Sequence, residues 1–194
     1  MTLDAHTDRL NHLIYLHNQF AKAIKLVEAV NFELDMASLN DCRYALRAVM
    51  DCIESGLNSN NEQFVDAFGR AQNALHIVWH DTVDIAYIQF KLYLNQLSKD
   101  YGPDLVAGAI DVTKCKEALY KIEDLITESR GDRKKRIELY TSITCNDLEP
   151  ILKLYRNAID AEPAIAAKKR REDGKRRLTI LVIVVGILGA IVAL

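Results

Sequence analysis

His76 and His80 stand four residues apart, and Asp84 follows after four more. On a helix these three side chains share one face, a spacing that suits metal ligands. A zinc site would need another ligand from elsewhere, and the chain holds neither HExxH nor ExxH. The expected role of His76, His80 and Asp84 is therefore polar packing between helices or at a subunit contact, with no metal or cofactor. GxSxG and a phosphate-cradling Gly loop are both absent, and the chain reads as non-catalytic. A different chemistry is offered by Arg130, Arg133, Lys134, Lys135 and Arg136, a basic cluster in an otherwise acidic region. On a helix Arg133 and Arg136 share a face, and Tyr140 lies one turn further. Guanidinium forks beside an aromatic ring suit a phosphate-rich ligand, a nucleotide or a nucleic-acid single strand. The competing reading of the cluster is a solvated charged surface.

Arg70 and His76 add a second pattern, Arg-x5-His. It resembles the Arg-x4–6-His signature of HEPN ribonucleases, helical bundles that cut RNA as dimers. The resemblance implies Arg70 and His76 as catalytic residues. The residue after Arg is Ala71, where that family usually has Asn, His or Asp.

Charge is distributed unevenly. The net charge is −2, yet residues 168–177 (KKRREDGKRR) hold seven basic and two acidic side chains. Residues 1–167 are thus left at about −7. After this cluster, Leu178 to Leu194 read LTILVIVVGILGAIVAL, with Thr179 the only polar side chain. As a helix this stretch is roughly 25 Å long, slightly short of a ~30 Å hydrocarbon core. Local thinning, or snorkelling by Lys175, Arg176 and Arg177, covers the difference. A helix apolar on every face has no side for water, so a membrane span is expected. Lys168, Lys169, Arg170, Arg171, Lys175, Arg176 and Arg177 then meet anionic headgroups, and the positive-inside rule puts the N-terminal domain in the cytoplasm. The chain would end within the bilayer or at its far side. Within the span, Gly186-xxx-Ala190 and Gly189-xxx-Ala193 are small-xxx-small patterns that let neighbouring helices approach closely. Thr179 is the one side chain there with a donor or acceptor for a pore.

The elements that must position these groups are helices. Eight Gly and three Pro are few for 194 residues, and no strand-like alternation is sustained. The apolar period gives a first helix over about 5–34, with Leu10, Leu13, Ile14, His17, Phe20, Ile24, Val27 and Val30 on one face. Ser38 can cap a second, with Leu39, Cys42, Leu46, Val49, Ile53 and Leu57 inward. A third begins near Asn61 and runs towards Tyr101, with a bend allowed near His80–Thr82. Gly102-Pro103 is a stop. A short helix is expected over 104–110, and Asp111 caps the next, with Val112, Cys115, Leu119, Ile122 and Ile126 inward. Asn146 and Glu149 form a capping-box pattern ahead of Pro150, and Pro163 is expected to interrupt the helix they start. Cys42, Cys52 and Cys115 fall on apolar faces and read as core filler in a reducing compartment.

The expected architecture is all-α: an antiparallel helical bundle over 1–162, a basic juxtamembrane stalk over 163–177 and a transmembrane helix over 178–194. This plan resembles the small single-span membrane effectors of bacterial antiphage systems, including the channel subunit of Hailong-type systems and the effectors of cyclic-oligonucleotide systems. The features that carry the resemblance are the span, the stalk and the Arg133–Arg136 patch. It implies a homo-oligomer in the inner membrane that senses a nucleotide or nucleic acid and opens a conduit, with a nucleotidyltransferase as partner. The alternatives are a tail-anchored scaffold that localises a partner protein and the HEPN-like ribonuclease.

Overall fold

The computed structural model describes residues 3–29, 36–57 and 61–192, with side chains described over 7–29, 40–56 and 62–184. It is all-helical, with no strand among the described residues. The elements are α1 (Leu3–Glu28), α2 (Met36–Leu57), α3 (Asn61–Tyr101), α4 (Pro103–Ala107), α5 (Val112–Gly131), α6 (Arg136–Ser142) and α7 (Leu148–Val192). A π-helical turn, Ile143–Asp147, joins α6 to α7.

Helix α3 is the central mast. Its 41 residues form one helix of roughly 60 Å, with no break at His80–Thr82. Thr82 is buried and returns its hydroxyl proton to the Val78 carbonyl at 2.7 Å, so its polar atom is satisfied within the helix. Phe64, Ala67, Ala71, Leu75, Val78, Trp79, Val83, Ala86, Phe90 and Leu94 are all buried along it, because helices pack on several of its sides. Cross-contacts give the directions of the neighbours. Arg9 lies over Phe68 while His12 reaches Gln72, so α1 runs with α3. Lys91 pairs with Glu123 and Asp84 with Arg130, so α5 runs against it. Thr144, Tyr155 and Glu162 meet Trp79, Phe90 and Tyr101 in order, so the α6–α7 run is parallel to α3. Phe64 of α3 lies against Gly56 of α2, where the two helices pack together. The result is an up-down antiparallel bundle with one main core.

Turn chemistry behaves as expected at two places. Gly102 sits at φ 87°, a conformation only glycine adopts without strain, and Pro103 opens α4. Asp111 Oδ1 accepts from the Lys114 backbone N–H at 2.9 Å and caps α5.

The C-terminal third differs from the expectation. No capping box forms at Asn146 and Glu149. The helix instead widens into the π-turn and continues, and the Asn146 amide donates to Ser142 Oγ at 3.4 Å. The reason lies in Pro150, whose ring conflicts with the carbonyl four residues back and is relieved by a wider turn just upstream. Pro163 does not interrupt α7 either; it lies inside a continuous helix. Tertiary contacts hold the helix through it. Ile165 is buried against Leu97 and Val106. Glu162 accepts from Tyr93 at 2.7 Å and from Tyr101 at 3.0 Å. Lys169 donates to the Asp100 carbonyl at the end of α3 and so caps that helix. Packing against the bundle therefore reaches beyond residue 162.

The buried stripes of α1 and α2 are also narrower than the apolar ones. Leu13, Leu16, Ala23 and Val27 of α1 and Ala45 and Cys52 of α2 are buried, while Ile14, Leu46, Met50 and Ile53 are exposed. Cys42 is half-buried and Cys145 exposed.

Among the described residues no helix is long and apolar enough to cross a membrane. The apolar part of α7 described here, Leu178 to Val192, is about 22 Å long. Gly186, Gly189 and Ala190 lie beyond the described side chains, and Ala193 lies beyond the described residues.

Candidate functional site

Two helical faces meet beside the core and enclose a cleft of about 380 Å³. Helix α3 contributes Asn73, His76, Ile77 and His80, at i, i+3, i+4 and i+7 of one face. The turn before α6 and its first residues contribute Arg133, Arg136 and Ile137. The cleft thus brings together two sets of residues that the sequence offers for separate reasons, the histidine pair and the basic cluster.

Both histidines are held on several sides. The His80 ring stacks on Tyr140 with centroids 3.8 Å apart and an interplanar angle of 21°. His76 lies 5.5 Å from His80, 6.3 Å from Trp79 and 6.4 Å from His12 of α1, centroid to centroid. Burial, then the neighbouring His76 and Arg136, push the His80 pKa down to about 3. Burial, His12 and Arg136 lower His76 in the same direction. Both rings are therefore neutral at pH 7. Three buried side-chain polar atoms among the described residues have no hydrogen-bond partner in the protein, and two of them are His76 Nδ1 and His80 Nε2. Buried polar atoms are rarely left in this state.

The basic cluster divides. Arg130 pairs with Asp84 at 3.0 Å, and Lys135 pairs with Glu128 at 3.1 Å. Lys134 is exposed and does not line the cleft. Arg133 and Arg136 do line it, and among the described residues neither has a carboxylate partner. Arg136 is anchored through Nε, which donates to the Ser129 carbonyl at 3.3 Å. This leaves the guanidinium's Nη groups for a second contact.

Asp84 does not join the histidines. Its carboxylate accepts from Tyr140 at 2.8 Å and pairs with Arg130, so it fixes the ring on which His80 rests. No group of three or more His, Cys, Asp and Glu is placed to hold a metal among the described residues. Arg70 and His76 are not brought together. Six residues place them about 120° apart around α3, and Arg70 is exposed and paired with Asp66 at 2.5 Å.

In the stalk, Lys168, Arg170, Arg171, Lys175, Arg176 and Arg177 are exposed. The Thr179 hydroxyl donates to the Lys175 carbonyl at 3.0 Å and is satisfied inside its own helix. Asn73, Ile77 and Ile137 are cleft residues that sequence reasoning passed over. The helical spacing of Asn73, Ile77 and His80 was the available signal on α3.

Comparison with protein-family models, with curated proteins and with solved structures returns no match for this chain.

Proposed function

We infer that this protein is an oligomeric, membrane-anchored effector of antiphage defence. A nucleotide or nucleic-acid signal docks in the helical bundle, and the apolar C-terminal segments then open a conduit in the inner membrane. The observation that carries this reading is continuity. Arg136 of the cleft begins α6, which passes through the π-turn into α7 and on to the apolar segment without a break. In this reading a ligand that draws Arg136 towards α3 turns α6 and loads the helical run that it shares with α7. α7 alone has 45 residues, roughly 68 Å. A second support is exposure. Leu178, Ile180, Leu181, Val182, Ile183 and Val184 are 47–63% exposed and touch no core, an apolar surface that water disfavours. Seven basic side chains precede it at 168–177, where anionic headgroups would lie. As a helix the whole apolar run 178–194 would be roughly 25 Å long, and local thinning with snorkelling by Lys175, Arg176 and Arg177 would match it to a bilayer. One such helix has no lumen, so conduction requires several copies. A neighbouring nucleotidyltransferase is the natural source of the signal.

The test is membrane integrity. Expressing the full chain in bacteria, with its partner system triggered, should admit a membrane-impermeant dye and arrest growth. Replacing Gly186 and Gly189 together with Leu should keep the segment inserted, since Leu is at least as apolar, yet hold the helices apart and reduce dye entry. An inserted double variant as leaky as the parent would remove close helix packing from the mechanism. A parent that causes neither arrest nor leak would leave a membrane-anchored scaffold as the better description.

A further inference from the structure

We propose that the cleft between α3 and α6 is a nucleotide site in which Arg133 and Arg136 grip a phosphate group and His76 and His80 complete its shell. The proposal deepens the effector reading above and rests on it for the consequence of binding. Four observations converge on one cavity. Its volume, about 380 Å³, falls in the range of small-ligand pockets. The two arginines of the basic cluster that lack a carboxylate partner are the two that line it. Two arginine forks are well matched to the oxygens of a phosphate. Two of the three partnerless buried polar atoms belong to its histidines. A half-turn of either ring about χ2, a broad two-fold torsion, presents a nitrogen to the other side. Ile77 and Ile137 supply apolar flanks for a base, and Asn73 offers an amide that both donates and accepts.

The surrounding charges give the site a proton linkage. His76 faces His12 of α1, Arg136 of α6, and Trp79 and His80 of its own helix. His80 faces His76, Trp79, Tyr140 and Arg136. The nearest acids, Asp81 and Asp84, lie on the same helix; Asp84 is occupied by Arg130 of α5 and Tyr140, and burial raises the Asp81 pKa. Burial is the main reason both imidazoles stay neutral in the free protein, with a neighbouring histidine and then Arg136 acting in the same direction. An anion placed between them and the arginines reverses the local field and favours the imidazolium, so binding should take up protons. Each proton would be a further donor to a phosphate oxygen.

The experiment is calorimetric titration of the full chain in detergent micelles with a phosphodiester-linked dinucleotide, whose charge is constant between pH 6 and 8. Affinity should rise as pH falls from 8 to 6, and buffers of different ionisation enthalpy should report proton uptake. Arg136→Ala should weaken binding by about tenfold or more, the scale of a lost charge-assisted hydrogen bond. Lys134→Ala, outside the cleft, should change it little. The double variant His76→Gln/His80→Gln should flatten the pH dependence while circular dichroism shows unchanged helix content. Full binding by folded Arg136→Ala, or no binding by the parent, would overturn the site. Inorganic phosphate binding at pH 8 as tightly as the dinucleotide would overturn the nucleotide assignment. The two levels separate cleanly. Binding that Arg136→Ala removes, without membrane leak in cells, sinks the effector reading and keeps the site. Leak without any nucleotide binding does the reverse.

Discussion

Trp79 and Thr144 are both buried, and each carries a polar atom that must find a partner. The indole Nε1–H donates to Thr144 Oγ1 at 2.9 Å, linking the mast to the π-turn. Thr144→Val keeps the shape and orphans the indole donor. The expected loss is about 1–3 kcal/mol, read as a lower urea midpoint with unchanged slope. The histidines make a second residue-scale prediction. Burial holds the His80 pKa near 3 and lowers His76, whereas an exposed histidine titrates near 6.5. Between those values the unfolded chain binds protons that the folded chain refuses. Stability is therefore fully present above pH 6.5 and declines as pH falls towards 3. The urea midpoint should drop between pH 7 and 5.5, and the drop should shrink in His76→Gln/His80→Gln. An equal drop in both proteins would mean that other groups govern acid sensitivity.

At the scale of elements, α7 is the unusual one. A proline inside a helix removes one hydrogen bond and crowds the carbonyl four residues back, at about 3 kcal/mol. Pro163 is nevertheless tolerated, because Glu162, Ile165 and Lys169 pin the helix to the end of α3 and to α4 on either side of it. Pro163→Ala should raise the melting temperature, since the missing hydrogen bond returns. A fall would show that a proline-set bend is what carries Ile165 to Leu97 and Val106. The same reasoning separates α7 into two lengths. Up to Lys169 it belongs to the bundle, and from Arg171 to Val184 every described side chain is exposed.

At the scale of the whole molecule, neither buried cluster takes a residue after Ile165 among the described side chains. Deleting residues 178–194 should therefore give a folded domain that stays in the soluble fraction without detergent, with a sharp cooperative melt. The full chain should sediment with membranes. Aggregation of the shortened chain would show that the exposed apolar residues of α1 and α2, Ile14, Leu46, Met50 and Ile53 among them, need cover that the segment provides. The basic stalk and the acidic remainder also give the molecule a strong electrical axis.

Helix class, the stop at Gly102-Pro103, the Asp111 cap and the apolar terminal run were all legible in the sequence, because each depends on residues a few positions apart. Local spacing also placed His76 with His80 on one face of α3, whereas Arg133 lies in the turn before α6 and not on a helical face with Arg136. Other features answered to longer-range forces. The apolar stripes of α1 and α2 were read too wide, since the number of neighbouring helices decides how much of a stripe is buried, and periodicity does not report it. Pro163 and the Asn146–Glu149 pattern signal helix ends in isolation. Here Ile165, the Glu162 tyrosines and the Lys169 cap on one side, and Trp79 holding Thr144 on the other, outweigh that local preference. The division of the basic cluster had no sequence signal at all. Arg130 and Lys135 are neutralised by Asp84 and Glu128, while Arg133 and Arg136 face the histidines. That sorting exists only once α3, α5 and α6 are packed, because pairing across helices depends on distance in space and not on distance along the chain.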